Sequence, residues 1–179
     1  MLAITIPASE MYDSVKNEFI TGKEQVLHLE HSLVSLSKWE SKWNKPFLSK
    51  DEKSPAEVLD YIKCMTLTQN VDPSVYTRLT QENVDAINKY IDSPMTATTF
   101  TNEQQSRNKE IITAEVIYYW MIAQNIPFEC QKWHLNRLLT LIRVCSIKNA
   151  PQKKMSKRAT MSHNAQINAA RRRSLGSRG

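Results

Sequence analysis

Residues 32–46 read SLVSLSKWESKWNKP, and they mark the point at which the hydrophobic pattern of this chain becomes helical. Large apolar side chains recur there at intervals of three, three and four residues, at Leu33, Leu36, Trp39 and Trp43. This spacing places the four side chains on one face of a helix. Pro46 lacks the N–H group that a continuing helix needs, so the stretch predicts an amphipathic helix that ends before Pro46.

The residues before this helix have the alternating pattern of β-strands. Leu2, Ile4 and Ile6 alternate with small or polar residues, which is typical of a strand with one buried face. A second extended pattern covers residues 24–30, directly after the turn-forming Thr21-Gly22-Lys23. The N-terminus is therefore predicted to form two strands of a small sheet or hairpin.

Helix start signals follow in the next part of the chain. Ser54-Pro55-Ala56-Glu57 combines an N-cap serine, a proline at the first helical position and a capping-box glutamate. The buried face of this helix is predicted to be Val58, Leu59, Ile62 and Met65. Asp72-Pro73 should open a short helix, and Thr80 should cap another one that carries Val84, Ile87 and Ile91.

The two most apolar segments are residues 110–124 and roughly 129–146, separated by Pro127. The first is apolar on most sides, which predicts a helix buried against more than one neighbour. Two such helices with a short connection usually pack antiparallel, so we expect Trp120 and Trp133 to be buried. The polar residues 96–108 before them are interpreted as an exposed surface loop.

Charge divides the chain into two parts. Residues 148–179 contain nine of the 24 Lys and Arg residues and no Asp or Glu, which leaves 15 basic residues against all 18 acidic ones in residues 1–147. We therefore predict a folded domain over 1–147 and a basic arm over 148–179, flexible or ordered by a partner. The main cations of the arm are Lys153, Lys154, Lys157, Arg158, Arg171, Arg172 and Arg173. Such an arm suits nucleic acid or an acidic protein surface, and a merely solvated terminus is the alternative.

Metal binding was considered at Cys130 and His134, whose spacing of four residues would place two ligands on one helix face. No second pair of ligands is visible, so packing of the cysteines in the core and a hydrogen bond for His134 are favoured. The three cysteines, an odd number without close pairing, suit a reducing cytoplasm. No metal site is expected.

Catalytic and nucleotide-binding patterns are also weak. His28 and His31 flank Glu30, but the sequence has no Gly-x-Ser-x-Gly motif to present a nucleophilic serine. Gly22, Gly176 and Gly179 are too few and too scattered for a phosphate-binding loop. These patterns favour neither a catalytic trio nor a site for an ATP or dinucleotide cofactor. No apolar run reaches the roughly 20 residues that span a bilayer, so no membrane association is expected.

Trp39, Trp43 and Phe47 form the densest aromatic group, with Lys38, Lys42 and Lys45 interleaved. Such a pattern can stack on single-stranded nucleic acid. Because the tryptophans continue the face of Leu33 and Leu36, core or subunit packing is the favoured interpretation. If the group is accessible, it is the best candidate for a partner-binding surface.

Several segments of the chain together resemble a family of proteins from tailed phages. They are HSLVSLSKWESKWNKPFL at 31–48, QNVDP at 69–73, PMTATTF at 94–100, IYYWM at 117–121, WHLNRLL at 133–139 and KKMS at 153–156. The chain resembles small proteins from the structural-gene region of phages with long non-contractile tails, a group associated with tail assembly chaperones. This resemblance implies a non-enzymatic protein that binds the tape measure protein, keeps its apolar surface from aggregating and helps to recruit tail tube subunits. It also implies a short and a frameshifted long form, to which the arm could belong.

The sequence therefore predicts a mostly α (α+β) phage morphogenesis protein that acts in the host cytoplasm during assembly. A structural virion component, such as a head-to-tail connector or tail terminator subunit, is one alternative. A nonspecific nucleic-acid-binding protein that uses the basic arm is the other. Self-association into a homo-oligomer is left open by the sequence.

Overall fold

The computed structural model describes residues 1–13, 18–100, 111–150 and 157–176. These residues divide between two compact units, Met1–Ser146 and Ile147–Gly179. The first unit is mostly helical and carries a small antiparallel sheet at its N-terminus, as the sequence predicts.

The described strands are β1 (Leu2–Ile6), β2 (Ser9–Asp13), β3 (Glu18–Gly22) and β4 (Gln25–Leu29). β1 and β4 pair antiparallel, with Ile4 opposite Leu27, and they confirm the two strands predicted from the alternating pattern. Ile4, Ile6, Leu27 and Leu29 point into the core. Successive side chains of a strand lie on opposite faces, so this alternation alone fixes which face is buried.

β2 and β3 form a second antiparallel ladder that the sequence analysis did not predict. β2 begins at Ser9 and ends at Asp13, and β3 begins at Glu18 and ends at Gly22, so the apolar alternation within each strand is too short to signal it. Gly22 ends β3 where the guanidinium of Arg78 lies 2.5 Å from the position that a Cβ would occupy. That guanidinium donates hydrogen bonds to the carbonyl oxygens of Pro7 (3.0 Å) and Lys23 (3.3 Å).

The α-helices described up to residue 150 are α1 (Leu33–Trp43), α2 (Pro55–Met65), α3 (Gln81–Asp92), α4 (Ala114–Ala123) and α5 (Leu135–Asn149). The 3-10 helices Pro73–Arg78 and Phe128–Lys132 lie between described α-helices. The hydroxyls of Ser54 and Thr80 accept N-terminal backbone N–H groups of α2 and α3, as the start signals predict. Ser32 caps α1 in the same way, which the sequence analysis did not predict. α1 ends at Asn44, which adopts a left-handed conformation with φ of 52°, before Pro46.

Side chains of α1 belong to two hydrophobic clusters of the described residues. Trp39 lies in the first, with buried residues of β1, β4, α2, α3 and the first 3-10 helix. Leu33 and Leu36 lie in the second, with buried residues of α4, α5 and the second 3-10 helix. The helix predicted from residues 32–46 therefore contributes buried side chains to both clusters.

The buried face of α2 differs from the predicted one. Ile62 and Met65 are buried, but Val58 is 39% exposed and Tyr61 takes its place in the core at 2% exposure. The face is rotated because Glu57 and Asp60 are held inside by lysines from α1 and the turn that follows it. Paired charges of this kind do not count as apolar in a periodicity analysis.

The prediction of one helix over residues 129–146 is wrong. The chain forms the 3-10 helix Phe128–Lys132, passes through Trp133 and His134, and then begins α5. The break is stabilised from outside the segment, because the N–H of Leu135 donates to the carbonyl of His31 (2.7 Å) and Ser32 forms an isolated β-bridge with His134. No local residue pattern encodes this contact with a segment a hundred residues away.

α4 is also less buried than predicted. It packs against α1, and its buried side chains Ala114, Ile117 and Met121 share the second cluster with buried residues of α5. Trp120 and Trp133 are only partly buried, which corrects the expectation for both. Tyr119 and Ile122 are 66% and 60% exposed, so one side of this apolar helix faces solvent.

The second unit contains α6 (Lys157–Leu175), and its described side chains are all exposed. The sequence predicts no stable helix for this segment without a partner, whereas the structure has it helical. Alanine, arginine and other strong helix formers supply local propensity, and Gly176 with φ of 61° provides the left-handed C-terminal cap. None of the described helices combines the length and the apolar character needed to cross a bilayer.

Candidate partner-binding surfaces

The aromatic residues Trp39, Trp43 and Phe47 pack in or against the first hydrophobic cluster. Trp39 is 1% exposed, and its indole N–H donates to the carbonyl of Glu57 at 2.9 Å. Phe47 lies edge-on to Trp39 (5.0 Å between ring centroids) and stacks on Tyr61 (3.8 Å). Trp43 and Phe47 are partly buried against this core. Core packing, the interpretation that the sequence favours, is confirmed for Trp39, so this residue does not belong to an accessible partner-binding surface.

Two carboxylates hold the lysines that alternate with these aromatics. Asp60 accepts hydrogen bonds from the indole N–H of Trp43 (2.9 Å) and from the Lys42 ammonium. Burial disfavours the charged form of Asp60, but the hydrogen bonds from Lys42 and Trp43 outweigh it and lower the pKa of this carboxyl. Lys42 is therefore bound to a carboxylate while its side chain remains 61% exposed.

The second carboxylate, Glu57, completes the capping box of α2. It accepts from the backbone N–H of Ser54 (2.7 Å) and from the ammonium of Lys45 (2.6 Å). The hydrogen bond from Lys45, followed by that from Ser54, lowers the pKa of Glu57 to about 2. A shallow cleft of about 320 Å³ beside it is lined by residues that include Trp39, Lys45, Asp51 and Lys53. Lys45 and Glu57, two of its charged lining residues, form an ion pair with each other.

Glu40 is a structural residue that sequence analysis missed. Its side chain is buried and accepts the backbone N–H groups of Phe47 (2.8 Å) and Ala114 (2.7 Å). Thr113, the N-cap of α4, makes no side-chain capping bond, so Glu40 supplies the cap from α1. An anion at a helix N-terminus is favoured by the helix dipole. The capping residue lies 74 positions away in sequence, beyond the reach of a local motif.

The histidines form a buried polar cluster. His31 Nδ1 and the Tyr61 hydroxyl are 2.6 Å apart, and the His31 and His134 rings lie 5.1 Å apart. Burial, with a smaller contribution from His134, lowers the pKa of His31 to about 4. His134 Nε2 donates to the carbonyl of Tyr90 (3.0 Å), as the sequence analysis favoured, and burial lowers the pKa of His134. Both shifts favour the neutral form of the rings.

The pair of metal ligands considered in the sequence, Cys130 and His134, is separated in the structure. Cys130 lies on the 3-10 helix and His134 lies beyond it, so the two do not share a helix face. His28 is exposed on β4, away from the buried His31. Across 1–13, 18–100, 111–150 and 157–176, no three metal-ligating side chains come together.

An exposed apolar surface lies instead on α4 and the 3-10 helix that follows it. We call it the α4 face and define it by Tyr119, Ile122 and Phe128, which are 66%, 60% and 52% exposed. Tyr118 joins these elements, because its ring centroid lies 6.4 Å from that of Phe128 and its hydroxyl donates to Gln131 (2.9 Å). Contiguous exposed apolar patches often mark interaction sites. The sequence shows the apolar residues, but not that these side chains are exposed.

The basic arm residues lie partly in the described structure. Lys157 and Arg158 are in the first turn of α6, and Arg171, Arg172 and Arg173 are near its end, all exposed. Lys153 and Lys154 lie outside the described residues. No family model, curated protein or solved structure matches the chain.

Proposed function

We propose that this protein is a non-enzymatic tail assembly chaperone of a phage with a long non-contractile tail. The resemblance of its segments to that group supports the proposal, and the α4 face is the observation that carries it. Tyr119, Ile122 and Phe128 are each more than half exposed. When a partner removes apolar side chains of this size from water, the free energy falls and the complex is stabilised.

The shape of the α4 face suits a helical partner. Tyr119 and Ile122 are three residues apart on α4, so they form a short apolar row against which the apolar stripe of a second helix can pack. A tape measure protein is long and helical and exposes such stripes before the tail tube surrounds it. Exposed Glu115 lies one turn before Tyr119 and supplies part of a polar rim that orients the partner.

The polar groups of the first unit support binding rather than chemistry. Lys42 and Lys45 are paired with Asp60 and Glu57. His31 has a depressed pKa and is hydrogen bonded within the core. These groups stabilise the domain, and the apolar face of α4 is left for association. The tail tube protein is the second proposed partner, recruited once the tape measure protein is held.

Co-expression with the tape measure protein of the same phage tests this function. We expect the wild type to keep the tape measure protein soluble and to co-purify with it, and Tyr119→Ser combined with Ile122→Ser to lose at least tenfold in co-purified amount. The matched control is Val58→Ala with Leu67→Ala, which removes exposed apolar area elsewhere. A wild type that neither solubilises nor retains the tape measure protein contradicts the proposal.

Mass spectrometry of purified virions tests the chaperone role against the structural alternative. An assembly factor acts in the host cytoplasm and leaves before the particle is complete, so its peptides should be absent from virions and present in infected-cell lysate. Stoichiometric amounts in the virion would instead favour a connector or tail terminator subunit.

A further inference from the structure

A cleft beside α1 combines apolar and cationic side chains. Its volume is about 250 Å³, and its lining comes from α1, the end of α2 and the 3-10 helix Phe128–Lys132, among other residues. Val34 and Met65 are among the apolar side chains of the lining, and Lys38 and Lys132 are its cations. The described lining residues include none that define the α4 face, so the proposed chaperone function does not use this cleft.

The two lysines of the cleft are available to a ligand. Lys42, one turn after Lys38 on α1, is bound to the carboxylate of Asp60. Among the side chains that the structure describes, no Asp or Glu forms an ion pair with Lys38 or Lys132. Charges of one sign at a cleft with low-dielectric walls attract ions of the opposite sign. The ligand of this cleft should therefore be an anion.

Glu30 limits the charge of that anion. Its carboxylate also lines the cleft, where it accepts a hydrogen bond from the hydroxyl of Tyr90 (2.7 Å). Like charges at close range repel each other, so a second negative charge on the ligand is disfavoured. Lysines are separate point charges and lack the fork of donors with which arginine holds a phosphate. Two of them match the two oxygens of a single carboxylate.

The apolar part of the lining favours a ligand with an aliphatic tail. Val34 is half-buried and Met65 is buried, and methylene groups that leave water for contact with such side chains stabilise a complex. A cleft of about 250 Å³ lies at the small end of ligand-binding volumes. At about 30 Å³ for each non-hydrogen atom, the volume of one water in the liquid, it holds roughly eight atoms.

We propose that this cleft binds a small aliphatic monocarboxylate. The carboxylate lies between the ammonium groups of Lys38 and Lys132, and the tail packs on Val34 and Met65. This binding site goes beyond the chaperone function and stands independently of it.

Cys64 can report on the occupation of the cleft. It is half-buried and belongs to the lining. Burial, followed by the charge of Asp60, raises the pKa of the Cys64 thiol, and the ammonium groups of Lys42 and Lys38 oppose this rise. A carboxylate bound at Lys38 adds negative charge nearby, which disfavours the reactive thiolate, and its tail limits access to the sulfur. Alkylation of Cys64 should therefore slow when the cleft is filled.

Hexanoate, whose size matches the cleft, is the probe. The full chain is alkylated with N-ethylmaleimide, and peptide mass spectrometry follows Cys64 together with Cys145, a half-buried thiol on α5 that serves as the internal control. We expect hexanoate to slow Cys64 at least threefold, with a half-maximal effect at about 1 mM, a usual affinity for so small a ligand. Cys145 should keep its rate. Acetate lacks the tail and hexylammonium reverses the charge, so neither should protect Cys64.

A pair of double variants tests the role of the lysines. Lys38→Gln with Lys132→Gln should raise the half-maximal hexanoate concentration by about tenfold or more, because both charge-assisted hydrogen bonds are lost. The matched control is Lys50→Gln with Lys89→Gln, which removes the same charge from exposed positions outside the cleft and should stay within about twofold of the wild type. All four lysines are exposed, so equal melting temperatures are expected.

Four results would overturn the proposal. The first is a Cys64 rate that hexanoate leaves unchanged at about tenfold above the expected Kd. The second is equal protection of Cys64 by acetate or hexylammonium. The third is an equal slowing of Cys145, which would show a nonspecific effect. The fourth is the same hexanoate affinity in both double variants.

Discussion

At the residue scale, burial turns the histidines from candidate functional groups into structural ones. His31 is 2% exposed and has a pKa of about 4 in the folded protein, against an ordinary value of 6.5. The unfolded chain therefore binds more protons than the folded protein between these two values. The contribution of His31 to the free energy of unfolding should be fully present above pH 6.5. It should decrease as the pH falls from 6.5 towards 4.

Urea denaturation between pH 7 and pH 5 measures this effect. The free energy of unfolding should decrease with a slope approaching about 1.4 kcal/mol per pH unit for His31, and His134 shifts in the same direction. His31→Gln removes the titrating group and should flatten the curve, whatever its effect on stability at pH 7. His28→Gln, at an exposed position of β4, should keep the wild-type slope. A curve for His31→Gln parallel to that of the wild type would contradict this account.

At the scale of elements, the start of α4 depends on a residue of another helix. Glu40 accepts two backbone N–H groups, and glutamine has only one side-chain oxygen to offer. Glu40→Gln should therefore leave one buried donor unpaired and cost about 1–3 kcal/mol in the free energy of unfolding. Glu52→Gln, at an exposed position, should cost almost nothing. Urea denaturation at pH 7 compares them, and equal stabilities would remove the capping role of Glu40.

At the scale of the whole molecule, the first unit has two hydrophobic clusters that share α1. Because α1 contributes side chains to both clusters, the two clusters should unfold together. Leu36→Ala lies in the second cluster and should cost about 2–5 kcal/mol. Amide hydrogen exchange should show equal losses of protection in α5, beside the mutation, and in β4, in the other cluster. Val58→Ala at an exposed site is the control, and a loss confined to α5 would show that the clusters unfold separately.

Local patterns in the sequence determined much of this architecture. The alternation of Leu2, Ile4 and Ile6, the spacing of Leu33, Leu36 and Trp39, and the capping motif that begins at Ser54 predict β1, α1 and α2 at or within a residue of their observed starts. These signals are local because backbone geometry sets their periods and because a cap bonds to N–H groups a few residues away. The charge division between residues 1–147 and 148–179 is equally a property of composition alone.

The tertiary structure decided which surfaces are covered. It placed Trp39 in the core, left Tyr119 and Ile122 exposed on a helix predicted to be buried, and broke the predicted second apolar helix at His134. Each outcome depends on a neighbour distant in sequence, such as the carbonyl of His31 that holds Leu135 or the Glu57 carbonyl that binds the Trp39 indole. Hydrophobic periodicity identifies an apolar face, but only the packed chain determines whether another element lies against it.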